Sequence, residues 1–100
     1  MDIAAPLGAV VGAPASGTVV FTGELPARGI VDVLDHGAGV NSTYAHLRRF
    51  EVAVGDDVAP GQPIARVGTT GFSTGPHLHW EVWAGGADVD PAEWTRRAFP

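Results

Sequence analysis

The sequence contains no cysteine and no lysine. Without cysteine there is no disulfide and no thiol nucleophile, and the redox compartment leaves no mark on composition. All six basic residues are arginine, set against eleven acids for a net charge of −5. An acidic chain with no basic stripe is a poor partner for nucleic acid, and it gains nothing from simple electrostatics at an anionic surface. Long apolar runs are also missing, so no stretch approaches the roughly 20 residues needed to span a bilayer. The opening residues, Met1 to Pro6, lack the basic, apolar and small-residue regions of a secretory signal.

What the chain does have is glycine, fourteen of them, and short β-rich segments among 100 residues that are 45% hydrophobic. That length and composition fit one domain with one core. Val10-Val11, Thr18 to Phe21, Ile30 to Leu34, Ser42 to Leu47, Val52 to Val54, Ile64 to Val67 and His77 to Trp83 each read as a short strand, separated by Gly, Pro, Asp and Ser turns. Helices of 10–15 residues between strands, the mark of a βαβ fold, have no room. The pattern predicts an all-β fold: an antiparallel β-sandwich or partly closed barrel of about seven short strands. One short C-terminal helical turn is expected at Asp90 to Trp94, with Asp90 as cap, Pro91 at the first position and Glu93 three residues on.

The chemistry-bearing residues are the histidines. His77 and His79 are two apart on a predicted strand, so both leave one face, together with Glu81 and Trp83, while Leu78, Trp80 and Val82 leave the other. Such a face suits a metal, because neutral imidazole is a good zinc ligand. His-x-His is by itself a weak signal, and taken alone it reads more readily as two partly exposed polar residues on a sheet. His46 stands in Thr43-Tyr44-Ala45-His46-Leu47, where strict alternation puts Tyr44 on its face. The glycine-rich run from Val67 to Pro76 leads into His77 and can offer backbone donors and hydroxyls to a peptide. His36, in Asp35-His36-Gly37, reads as structural.

Taken together, Tyr44-Ala45-His46-Leu47, the turn Gly55-Asp56-Asp57-Val58-Ala59-Pro60-Gly61-Gln62 and Ser73-Thr74-Gly75-Pro76-His77-Leu78-His79 resemble the M23 family of zinc metallopeptidases, the lysostaphin- and LytM-like peptidoglycan endopeptidases. Asp2 to Pro6, Val10 to Gly17, Asp35 to Gly37 and Val89 to Pro91 extend the resemblance over essentially the whole chain. It implies an antiparallel β core with the site in a groove across one sheet, a Zn2+ cofactor, a peptidoglycan peptide as partner, and an extracellular or cell-envelope location. Residue by residue, Asp2 and His79 match metal ligands, and His46 and His77 match the two catalytic histidines that do not bind the metal. Tyr44, Thr74 and Gly75 match substrate-binding positions.

One part of the pattern has no counterpart. The family holds zinc through a His-x-x-x-Asp motif and the second His of His-x-His, yet only Met1 precedes Asp2. Residues 1–100 therefore read as a peptidase core domain lacking the N-terminal strand and first zinc histidine. The expectation is a longer protein that supplies this histidine and a secretion signal. Two alternatives are a catalytically silent module that binds peptidoglycan or regulates another cell-wall hydrolase, and a site completed by the terminal amine or a second chain. Swivelling lipoyl or biotinyl carriers share the Gly55 to Gln62 type of turn, but they need a lysine to take the cofactor.

Overall fold

The computed structural model describes residues 2–70, 75 and 77–91, with His77 described in its backbone alone. The described residues form nine strands: β1 Asp2–Ala4, β2 Val10–Gly12, β3 Gly17–Leu25, β4 Gly29–Gly37, β5 Val40–Phe50, β6 Asp57–Val58, β7 Pro63–Val67, β8 His77–Ala84 and β9 Ala87–Val89. All pair antiparallel in one open sheet, with the path β1-β8-β5-β4-β3-β6. β9 lies beside β8, β7 beside β5, and β2 beside β7.

β5 organises the fold because it changes partners along its length. Val40 to Ala45 pair with β8, whereas Leu47, Arg49 and Phe50 pair with β7. On its other edge, Val40 to Leu47 run against β4. The change lets the sheet curl, so that Val11 of β2, Val19 of β3, Leu34 of β4, Tyr44 and Leu47 of β5, Ile64 and Val67 of β7, and Leu78 of β8 share one core. Burial of these branched and aromatic side chains is the main driving force for the fold, at roughly 1.5–3 kcal/mol for a fully buried large apolar side chain.

The all-β, antiparallel expectation holds, while the strand inventory differs. Val52 and Val54 are not in a strand. Val52 precedes and Val54 lies within a tight turn in which Asp56 Oδ2 accepts from the Ala53 N–H at 2.9 Å and the Asp56 N–H donates to the Ala53 carbonyl at 3.0 Å. This side-chain cap competes with a ladder. β1, β6 and β9, of two or three residues, carry too little pattern to stand out in sequence. The helical turn expected at Asp90 to Trp94 lies, beyond Pro91, outside the described residues. None of the described helices is long and apolar enough to cross a membrane.

Two polar features sit in the core. Tyr44 donates its hydroxyl hydrogen to Ser42 Oγ (2.8 Å), which lies 2.6 Å from His36 Nε2, and His36 Nδ1 donates to the Ser16 carbonyl (2.8 Å). The bond to a carbonyl fixes the tautomer, so His36 Nε2 accepts from Ser42. His36 thus keeps its structural part, tying β4 and β5 to the segment before β3. The second feature is Asp32. It is fully buried, neither carboxylate oxygen has a hydrogen-bond partner among the described residues, and burial pushes its carboxyl up to about 7.

Candidate active site

The face of the sheet that carries His79 is set by register. β1 pairs with β8 so that Asp2 lies opposite His79, and β5 pairs with β8 so that Ala45 lies opposite His79 on the other side. Directly opposed residues share a face, which places Asp2, His79 and Ala45 in one row. His79 Nδ1 is 2.7 Å from Asp2 Oδ1 and His79 Nε2 is 2.7 Å from Glu81 Oε1, so both ring nitrogens face carboxylate oxygens. Glu81 is two residues on and therefore on the same face. Its other oxygen, Oε2, accepts from Arg28 Nη1 and from the Trp83 indole N–H, each at 3.1 Å. Partial burial works to raise the Glu81 pKa. The hydrogen bonds from His79, Trp83 and Arg28, with the Arg28 charge, outweigh it and bring the carboxyl down to about 2.

His46 joins this row by a break in the strand. Its φ is +59°, the left-handed region that a residue with a Cβ enters at a cost of roughly 1–2 kcal/mol. Its N–H leaves the ladder and donates to the Arg28 carbonyl at 2.8 Å. The β4–β5 register slips at the same point, between Ile30/Leu47 and Asp32/Tyr44. This is a β-bulge, which re-aims a side chain. The result brings the His46 ring within 6.1 Å of the His79 ring, centroid to centroid, at 66°.

The bulge overturns the expected place of Tyr44. Strict alternation puts Tyr44 and His46 on one face, but the extra residue reverses the count. Tyr44 is 1% exposed, stacked on Trp80 in the core and bonded to Ser42. It lies on the core side of the sheet, where its stacking on Trp80 holds β5 against β8.

A neighbouring loop locks the His46 ring. His46 Nδ1 donates to the Thr70 carbonyl at 2.6 Å, so in the neutral ring the lone pair sits on Nε2. Thr70 is itself pinned: its hydroxyl donates to the Leu47 carbonyl (2.6 Å) and accepts from the Ile30 N–H (3.0 Å). Gly68 makes this approach possible. A Cβ there would lie 2.4 Å from the Arg48 nitrogen and 2.6 Å from the Leu47 carbonyl carbon. Those are backbone atoms, which cannot swing aside. Gly68→Ala is therefore expected to lower stability by about 1–3 kcal/mol, as overpacking does, in a urea titration. It should also move Thr70 off the His46 ring.

Of the remaining expected site residues, His77 pairs with Ala4 through its backbone, and its side chain lies outside the described residues, as does Thr74. Gly75 is partly buried, with open space where a Cβ would stand.

Residues 1–91 match the model of Peptidase family M23. The chain belongs to this family. Among curated relatives it is 44% identical over 91 residues to the DD-carboxypeptidase/endopeptidase Mpg of Neisseria meningitidis, covering 91% of this chain and 21% of that protein. It is 39% identical over 89 residues to the peptidoglycan DD-endopeptidase ShyB of Vibrio cholerae, covering 89% and 21%. It is also 39% identical over 97 residues to the murein hydrolase activator EnvC of Escherichia coli, covering 97% and 23%. The chain thus spans about a fifth of the length of the curated relatives it matches. A zinc-containing peptidase from Vibrio cholerae superimposes with a TM-score of 0.86 at 39% identity, over 89% of this chain and 28% of that one.

The donor chemistry here fits a cation in one respect. A neutral His79 can donate from only one ring nitrogen, so the other, as an acceptor, faces a carboxylate oxygen at 2.7 Å. Two acceptors that close repel unless a cation, a proton or a metal ion, sits between them. Among the described residues no third His, Asp or Glu joins Asp2 and His79 in a metal-holding cluster. The pair fits as two of the three protein ligands that a catalytic zinc site keeps.

Proposed function

We propose that this domain is a zinc-dependent endopeptidase acting on peptide bonds in bacterial peptidoglycan stems or cross-bridges, at the cell envelope. The observation that carries the reading is the Asp2–His79 pair, 2.7 Å apart, with the His46 ring 6.1 Å from that of His79.

Asp2 and His79 would hold the metal, Asp2 through Oδ1 and His79 through Nδ1. Zinc, when bound, supplies Lewis acidity toward the scissile carbonyl and the attacking water. His46 is assigned to proton transfer. The Thr70 carbonyl keeps Nδ1 protonated and leaves Nε2 as the basic atom, so Nε2 can take the proton of the attacking water and later return it to the leaving amine. His77 is assigned, on the family pattern, as the second catalytic histidine, stabilising the developing oxyanion. Thr74 and Gly75 are assigned to the substrate backbone on the same ground.

A second reading has a specific support, the 39% identity to a murein hydrolase activator. In it the groove binds peptidoglycan or a hydrolase partner without cutting. The two readings separate in one assay. Purified peptidoglycan is incubated with the protein, and newly exposed amino groups are counted. The endopeptidase reading expects amino groups to accumulate, to stop on chelation, to resume with added zinc, and to be absent with His79→Ala, which should also lose bound zinc. Pelleting with peptidoglycan but no new amino groups, with zinc supplied, would establish the non-catalytic module instead.

A further inference from the structure

We infer that Glu81 is a positioning residue for the metal site: clamped by Arg28 and Trp83, it fixes the His79 ring so that Nδ1 alone is presented to Asp2 and the metal they share. The inference rests on the zinc reading above and adds the group that sets up the ligand.

Three observations carry it. Glu81 uses both oxygens, Oε1 for His79 Nε2 at 2.7 Å and Oε2 for Arg28 and Trp83 at 3.1 Å each. The Glu81 side chain is only 15% exposed, so water competes weakly for these bonds. The donors come from separate elements: Trp83 from β8 itself, Arg28 from the turn before β4. That turn also supplies the carbonyl that receives the His46 N–H. A carboxylate hydrogen-bonded to the far nitrogen of a metal-binding histidine settles tautomer and ring orientation and makes the ligand more basic. Without Glu81, Asp2 remains at Nδ1 and draws the His79 proton there, to the nitrogen the metal needs bare. The alternation of β8 makes the contact local, since residues 79 and 81 share a face and are adjacent on it.

The test compares wild type, Glu81→Gln, Glu81→Ala and Trp83→Phe in the full-length protein. Zinc affinity is read by competition with a chromophoric chelator, and the His79 tautomer by nitrogen-15 NMR of the metal-free protein. Glu81→Ala should weaken zinc binding roughly 10–100-fold and shift the His79 proton toward Nδ1, where Asp2 accepts it. Glu81→Gln keeps an acceptor oxygen and should retain the Nε2–H tautomer, with a markedly smaller loss of affinity. Trp83→Phe, which removes one of the two donors to Oε2, should fall between wild type and Glu81→Ala. Should Glu81→Ala bind zinc within twofold of wild type, or Gln and Ala lose affinity equally, the inference is overturned. The zinc reading fails separately: wild type then takes up no zinc, while the tautomer comparison still decides whether Glu81 orients His79. If Glu81→Ala does not fold, Glu81→Gln and Trp83→Phe with the tautomer measurement decide.

Discussion

His46→Ala is expected to lose roughly 10²–10⁴-fold in turnover, the range that a positioned acid–base group supplies, while zinc stays bound. The expectation follows from where the ring is held rather than from its being a histidine. Nδ1 is committed to the Thr70 carbonyl at 2.6 Å, and the ring stands 6.1 Å from that of His79. Stability should respond differently from activity. The backbone at position 46 has φ +59°, so alanine inherits the left-handed cost, and glycine does not. His46→Gly should be as inactive as His46→Ala yet more stable than it by about 1 kcal/mol. A strained backbone kept at a reactive side chain, when a glycine would relieve it, is what function at the expense of stability looks like. Steady-state cleavage of a cross-linked muropeptide, zinc content and urea unfolding of both variants check it. Turnover within threefold of wild type would remove His46 from the chemistry.

Asp32→Asn should change the pH dependence of stability more than any other single substitution in the core. Asp32 is fully buried without a hydrogen-bond partner among the described residues, and its folded pKa is about 7 against an ordinary 3.8. The sign follows from which state holds the proton. Below 3.8 both states are neutral and the group costs nothing in charge. Between 3.8 and about 7 the unfolded chain releases its proton while the folded one keeps it, so stability falls as pH rises. Above about 7 the full cost, about 4 kcal/mol, is reached. Asparagine carries no such slope. Between pH 5 and pH 8, wild type should lose about 3 kcal/mol relative to Asp32→Asn, measured by urea unfolding at the two pH values. Parallel pH profiles would show that Asp32 has a partner that keeps it ionised. Tyr44, the titratable neighbour across the β4–β5 ladder, is pushed upward from its ordinary value by burial and stays neutral throughout this range.

Much of the site could be read from residue order. The two-residue period of β8 placed His79 and Glu81 on one face and Leu78 and Val82 in the core, because a regular ladder preserves alternation. The same rule misplaced Tyr44. Alternation counts residues, and the bulge at His46 adds one without a glycine to announce it. Asp2 could be matched to the metal only through family resemblance, since the β1–β8 register is a long-range fact that three exposed residues do not encode. The locking of His46 by Thr70 was hidden for a similar reason. It depends on Gly68 lying against the backbone of Leu47 and Arg48, which a glycine-rich run permits but does not specify. Asp32, flanked by Val31 and Val33, gave no sign of being buried alone, because an acid in an apolar strand is ordinarily placed on the wet face. In each case the missing information was a contact between residues distant in the chain.

The central claim, that Asp2 and His79 present one carboxylate oxygen and one imidazole nitrogen to a shared zinc beside His46, is tested most directly by diffraction from zinc-loaded crystals at the zinc absorption edge. The account predicts an anomalous peak bonded to His79 Nδ1 and Asp2 Oδ1, with His79 Nε2 still on Glu81. A peak on His79 Nε2 in place of Glu81, or in the separate polar pocket lined by Ser16, Asp35, His36 and Asp57, would contradict it.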